Sequence, residues 1–212
     1  MTAMSASHGG AVHDDGPVAG PRRRSRLNPD ARRAELIGHA RRVFGEVGFA
    51  DAGLAEIAVA ADVSKALLYH YFPNGRAELF AAVVHEAGVE LRERLRQGAD
   101  VPFSPARRIE HYFSAFFAFV DEHPEMCRLM FREPFASRDP AVEAAAVTTR
   151  VTITGDIAGL LAAAGAPAEE ILATSVGLLG FAVANAELFT AGQIDAETAW
   201  RVTCVHAVAS LA

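Results

Sequence analysis

Cysteine is scarce: the 212 residues hold two, Cys127 and Cys204. Two thiols cannot build a disulfide framework or a four-cysteine zinc site, and so few, with no export signal, read as a reduced cytosolic protein in which both are small core residues. Long uncharged runs are also missing. The longest, Ile171 to Ala186, is 16 residues, short of the roughly 20 needed to cross a bilayer, so no membrane partner is expected. The first 21 residues lack the apolar segment of a secretion signal. No alternating strand pattern and no repeat at a period of roughly 20–50 residues is present. The eight histidines include no pair four residues apart and no His-Glu-x-x-His, which removes the recognisable zinc hydrolases. Phosphate-loop and dinucleotide glycine patterns and Gly-x-Ser-x-Gly are absent too. Neither cofactor nor metal nor bond-breaking chemistry is expected.

What is present is apolar mass and an uneven distribution of charge. Apolar residues make up 51% of the chain, enough for a sizeable core without covalent staples. The net charge of −6 divides as −2 over residues 1–21, +3 over 22–80 and −7 over 81–212. A modestly basic first third on an acidic body suits an anion-binding module attached to something that should not stick to DNA.

Asn28-Pro29-Asp30 supplies a capping side chain and a proline suited to a first turn. Leu36, Ile37, Ala40, Val43, Phe44 and Val47 then recur at three- and four-residue steps, up to a stop at Gly48. The opposite face carries Arg32, Arg33, Arg41 and Arg42. Leu54, Ile57, Ala58 and Ala61 mark a second, two-turn helix. Asp62-Val63-Ser64 is a sharp turn that ends on a good N-cap, and a third helix runs from Lys65 to about Phe72. Pro73-Asn74-Gly75 closes it, and a long fourth helix, striped by Leu79, Val83, Ala87 and Leu91, runs from near Arg76 to about Gln97. After a loop from Gly98 to Pro105, helices are expected at roughly 105–122, 124–136, 139–164, 168–191 and 195–211, broken at Pro124, Pro134, Pro140, Gly165-Ala166-Pro167 and Gly192. The expected fold is all-α.

Two short helices joined by a tight turn, the second carrying Lys65, Tyr69 and His70 outward and Leu68 and Phe72 inward, have the dimensions of a helix-turn-helix. A lone helix fits the major groove, and flanking phosphates favour cations, hydroxyls and helix N-termini. The stretch Ala34 to Phe80, with Ile57-Ala58, Val63-Ser64-Lys65, Leu68-Tyr69-His70-Tyr71-Phe72 and Glu78-Leu79, resembles the DNA-binding domain of TetR/AcrR-type transcriptional regulators over 47 residues. That resemblance implies a three-helix helix-turn-helix DNA-binding domain at 28–75, followed by a helical ligand-binding and dimerisation domain at 76–212. A leader and basic arm, 1–27, is expected to be disordered.

The resemblance also implies roles for particular residues. Ser64, Lys65, Ala66 and Leu67 would lie near base edges and phosphates, with Leu67 touching a thymine methyl group, and Tyr69 and His70 on the backbone. Arg24 and Arg26 would belong to an arm along the minor groove; the alternative is a plain solvated linker. Three positions depart from the family pattern. Ala52-Gly53 stands where a Thr pair is usual, so Gly53 caps the second helix weakly. Asp62 replaces the turn glycine. The loop after Phe72 is one residue longer, which puts Arg76 at the position that touches phosphate.

In the second half, His111-Tyr112-Phe113 with Phe116, Phe117 and Phe119, followed by Met126, Met130, Phe131 and Phe135, concentrates aromatic and thioether side chains. They read either as ordinary core or as the wall of a pocket for a small hydrophobic or aromatic effector, with His111, Thr148, Thr152, Phe181 and Asn185 completing it. Ala173, Gly177, Gly180 and Ala184 form a small-residue stripe, with Leu188, Trp200 and Val205 adding bulk. Burial within one chain explains the stripe, and so does packing between subunits; the resemblance favours a homodimer joined by the last two helices, on a roughly palindromic operator. The reading is a cytoplasmic, ligand-responsive regulator bound to double-stranded DNA, a repressor, and not an enzyme. The alternatives are an all-helical small-molecule carrier or enzyme with the helix-turn-helix as an interaction module, and an adaptor whose basic face binds an acidic protein.

Overall fold

The computed structural model describes residues 28–99, 103–137 and 139–211, which are helical with no strand among them. The elements are α1 (Pro29–Asp51), α2 (Leu54–Ala60), α3 (Lys65–Tyr71), α4 (Arg76–Ala99), α5 (Pro105–Glu122), α6 (Pro124–Phe131), α7 (Glu133–Ser137), α8 (Pro140–Ala163), α9 (Ala168–Thr190) and α10 (Ala196–Ala209). The fold is an N-terminal helix-turn-helix followed by a C-terminal helical domain. Arg24 and Arg26 lie outside the described residues.

Helix starts are set by short polar side chains that satisfy otherwise unpaired N–H groups. Asn28 Oδ1 accepts from Asp30 N–H at 2.7 Å and Ala31 N–H at 3.1 Å. Ser64 Oγ accepts from Leu67 N–H at 3.2 Å, and Asp195 Oδ1 from Thr198 N–H at 2.7 Å. The ends follow from backbone freedom: Gly48 breaks the last turn of α1 at φ 83°, and Asp62 turns the chain between α2 and α3 at φ 52°, in the left-handed region that Gly, Asn and Asp tolerate.

One expected helix is two. The stretch 124–136 divides at Arg132, and Pro134 sits in the first turn of α7. A proline has no N–H to return to the preceding turn and clashes with the carbonyl four residues back, so α6 ends before it and a new first turn accommodates it.

Helix α4 runs through the middle of the molecule, packed on α1, α5 and α8. Its stripe Leu79, Val83, Ala87 and Leu91 is fully buried and continues to Leu95. An aromatic trio joins its start to α1: Phe80 meets Phe44 edge-on at 4.9 Å and Phe49 at 4.6 Å. Both cysteines are core residues, and burial pushes each thiol up to about 12, with nearby Glu187 and Glu110 adding to the rise at Cys127 and Cys204 respectively.

Helix α9 is, among the described residues, the one helix long and apolar enough by length and composition to cross a bilayer. The 16-residue count misses this because Glu169, Glu170 and Glu187 fall near its ends. Here it lies on α8 and α10, with Leu178, Leu179 and Ala182 buried.

Candidate nucleic-acid interface

Helix α3 stands outward. Leu68 and Phe72 are completely buried, whereas Ser64, Lys65, Ala66, Tyr69 and His70 are exposed and Leu67 is half-buried. This division comes from the four-residue spacing of Leu68 and Phe72 on one face of a two-turn helix. Lys65 is the only lysine of the chain, against nineteen arginines. Its position at the first turn combines a flexible cation with the free N–H groups of the helix start, both suited to phosphate.

The supports of α3 are specific. Gly75, at φ 72°, opens α4, and a Cβ there would come within 3.4 Å of Tyr69 Cε1 and 3.5 Å of Leu54 Cδ1. The Tyr69 ring therefore packs beside this turn while about half of the residue stays exposed, at 49%. The Arg33 guanidinium covers the Phe72 ring from α1 at 4.9 Å. Gly53 N–H donates to Glu56 Oε2 at 3.0 Å, so α2 keeps the returning half of a capping box even though Gly53 has no side chain to complete it.

Two expectations about the basic residues change. The Arg76 Nη1 group donates to the carbonyls of Ala50 and Ala52 at 3.1 and 3.2 Å, and its guanidinium lies over the Phe49 ring at 4.6 Å. Arg76 thus braces the corner between α1 and α2, and its Nη1 is committed to carbonyls before any phosphate arrives. The basic face of α1 is largely paired as well: Arg32 with Glu35, Arg41 with Glu90, and Arg42 with the His39 ring. Among the described residues the exposed cation on α3 is Lys65.

The helix-turn-helix is clasped to the rest of the molecule at the end of α1. Arg128 Nη2 of α6 donates to the Gly45 carbonyl at 2.9 Å, Glu133 Oε2 of α7 accepts from Phe49 N–H at 2.8 Å, and Arg128 and Glu133 pair with each other. The break at Gly48 creates the site. It frees the Phe49 N–H from the α1 ladder, and a Cβ at Gly48 would lie 3.0 Å from Arg128 Nη1 and 3.1 Å from Glu133 Oε1. These residues carry no motif, and nothing in the sequence pairs them.

The aromatic and thioether cluster is core. Phe113, Phe116, Phe117, Met126 and Met130 are buried against one another, with Phe116 and Phe117 in edge contact at 5.3 Å. Asn185 Nδ2 donates to Thr203 Oγ1 at 3.2 Å, a buried bond between α9 and α10. Thr148 and Thr152 donate to carbonyls of their own helix at 2.9 and 2.8 Å. His111 stacks on Phe103 at 4.9 Å, and Phe181 packs on the His206 ring at 4.4 Å. None of these ten residues lines the three larger clefts found among the described residues of the C-terminal domain, one of which, about 550 Å³, lies between α5 and α10 beside Trp200 and Val205. Close packing of large rings fills the space that the sequence left open as a pocket.

The other two clefts lie elsewhere. One, about 450 Å³, is bounded by α4, α5 and α8 over Gly155 and Gly159. Two of its polar groups are engaged: Arg92 holds Asp156 through two bonds of 2.9 and 3.2 Å, and Tyr112 Oη donates to the Ile153 carbonyl at 3.4 Å. Burial, with the Asp156 charge adding to it, raises the Tyr112 hydroxyl far above the ordinary tyrosine range. The second, about 530 Å³, lies between α7, α8 and α9 and is walled by Phe135, Val147, Val151, Leu172 and Val176.

The small-residue stripe is not buried within the chain. Ala173, Gly177, Gly180 and Ala184 are exposed, a Cβ at either glycine would meet nothing within 4 Å, and Leu188 and Val205 are exposed beside them. Trp200 is half-buried against the core instead.

A short helix, α3, anchored on one face, exposed on the other and joined to α2 by a tight turn defines a helix-turn-helix DNA-binding regulator. Residues 36–83 match the model described as bacterial regulatory proteins, tetR family. The transcriptional activator FasR of Mycolicibacterium smegmatis is 31% identical over 171 residues, 80% of this chain and 77% of FasR. A tetR-family transcriptional regulator from Streptomyces coelicolor superposes with a TM-score of 0.70 at 28% identity, covering 87% of this chain and 82% of that one. A TetR-like transcriptional regulator from Rhodococcus sp. RHA1 gives 0.70 at 25% identity, covering 86% and 96%. The chain belongs to the TetR family: it is a DNA-binding transcriptional regulator and not an enzyme.

Proposed function

We propose that this regulator binds a roughly palindromic operator as a cytoplasmic homodimer and responds to a small apolar effector. Residues 28–75 form the DNA-binding unit, 76–212 the effector-binding and dimerising unit, and the basic segment before residue 28 supplies Arg24 and Arg26 to the minor groove. The observation that carries the reading is the outward face of α3. Ser64, Lys65, Ala66 and Leu67 enter the major groove, Tyr69 and His70 flank it, and Leu68 and Phe72 hold the helix from behind.

The exposed stripe on α9, with Leu188 and Val205, supports dimerisation, because small residues let two helix backbones approach closely and leave apolar surface that water disfavours. A two-fold pair places its recognition helices about 34–36 Å apart, one turn of duplex. An effector changes that spacing through the clasp of Arg128 and Glu133 on α1 and through α4. To release DNA it must prefer the other state by about 1–3 kcal/mol.

Repression by occluding a promoter is the reading put forward for the sign of control. The name of FasR, an activator, favours a second reading in which the same dimer recruits transcription from an upstream operator. Gel-shift titration of the native upstream fragment against a scrambled one tests the binding. A clear preference supports it, and equal affinity at moderate salt overturns it.

A further inference from the structure

We infer that the groove between α7, α8 and α9 binds a small apolar ligand bearing one anionic group, and that its occupant acts on the DNA-binding helices through α7. The inference rests on the ligand response proposed above and gives it a place and a chemistry.

Helix α8 has two apolar faces where a surface helix has one. Val142, Ala146, Ile153 and Ile157 face the core and are buried. Val147, Val151 and Ala158 line the groove on another side, and Val151 is 65% exposed. Opposite them stand Leu172, 70% exposed, and Val176, 53% exposed, from α9. Apolar walls on both sides of a concave space of about 530 Å³ match the size and lining of small-molecule sites.

Among the described residues the groove has one cation. The Arg150 guanidinium lies 5.1 Å from the centroid of the Phe135 ring, and among the described residues no carboxylate pairs with it. An apolar wall with a single unpaired cation selects an apolar body with one negative charge.

Phe135 gives the groove a route to DNA. It belongs to a helix of five residues, two positions after Glu133, whose carboxylate holds the Phe49 N–H of α1. A ligand that seats against Phe135 moves a helix too short to absorb the shift internally, so Glu133 moves with it.

The test uses two fluorescent probes with the same rings, 8-anilinonaphthalene-1-sulfonate and the neutral N-phenyl-1-naphthylamine, titrated into the full chain. One saturable site per chain is expected, with the sulfonate about three- to fivefold tighter, the worth of one partly exposed charge pair. Arg150→Gln should bring the two probes to equal affinity. Val151→Glu, at a position exposed enough to leave folding intact by circular dichroism, should weaken both by about tenfold or more, because it places a charge against apolar walls. No saturable binding, or binding unchanged in both variants, overturns the inference. So does a wild type that excludes the probes while Val151→Glu turns a dimer into monomers, since the groove then belongs to a second copy. Gel shifts on the same preparations separate the two levels: specific DNA binding without probe binding sinks the groove and leaves the regulator standing.

Discussion

Glu133 accepts the backbone N–H of Phe49 at 2.8 Å across 84 positions of chain, so the end of the first helix of the DNA-binding unit is held by the seventh. The same carboxylate pairs with Arg128, which binds the Gly45 carbonyl on the other side of the break at Gly48. Removing it leaves a half-buried N–H and a guanidinium without their shared acceptor. Glu133→Ala is expected to cost about 1.5–3 kcal/mol in urea unfolding, and Glu133→Gln, which keeps an acceptor for Phe49, clearly less. Equal stability of the wild type and Glu133→Ala would mean that the clasp contributes nothing to holding the two parts together.

Lys65→Ala should weaken operator binding by about 1–2 kcal/mol and lower the salt slope by about one. As the only lysine, Lys65 also reports on itself: an amine-selective reagent read by mass spectrometry should label it in free protein and be blocked by operator DNA. Labelling that DNA does not change would place α3 away from the duplex.

Two glycine substitutions should act with opposite sign on the stability of the isolated chain. Gly48→Ala forces a side chain into the left-handed region and against Arg128 and Glu133, and should destabilise by about 1–2 kcal/mol or more. Gly177→Ala meets nothing within the chain and improves helix propensity, so a monomer should gain up to about 1 kcal/mol. Sedimentation should nevertheless show Gly177→Ala dimerising less tightly, because the added methyl stands in the helix contact. Tighter or unchanged dimerisation would move the interface off this stripe.

Acid should weaken the protein through Glu90. Burial raises this carboxyl, but the hydrogen bond from Arg41 at 2.7 Å and the charges of Arg41, His123 and Arg94 outweigh it, and the net shift is downward from the ordinary 4.5. A depressed carboxylate stabilises above its unfolded value, and that contribution fades as pH falls through the folded one. Unfolding measured from pH 7 to pH 3 should therefore show wild type losing stability relative to Glu90→Gln below about pH 4.5. Glu86 is shifted the other way, raised by burial despite the nearby charges of Arg33, His85 and Arg41, and since both proteins contain it the difference between them isolates Glu90. Parallel pH curves would remove the linkage.

Much of this molecule is written locally in its chain. Helix α5 occupies Pro105–Glu122 as expected, because Ser104 and Pro105 open it and Pro124 forces its end. The outward face of α3 is equally legible, since Leu68 and Phe72 leave the other positions only one direction to point. What escapes local reading depends on distance or on filled space. The partners of Glu133 and Arg76 lie far along the chain, so neither side chain reveals its task in sequence. The rings of Phe113, Phe116 and Phe117 look the same whether they enclose a cavity or fill one. The second apolar face of α8 did leave a trace, in Val147, Val151 and Ala158, yet it reads as ordinary core until the fold leaves it uncovered.

Hydroxyl-radical footprinting on the DNA upstream of the regulator's own gene tests the central claim most directly. A two-fold pair docked through α3 should leave two protected patches about one helical turn apart on one face of the duplex, both fading in Lys65→Ala at a concentration that saturates wild type. Uniform protection without sequence preference, or a footprint that Lys65→Ala leaves intact, would contradict it.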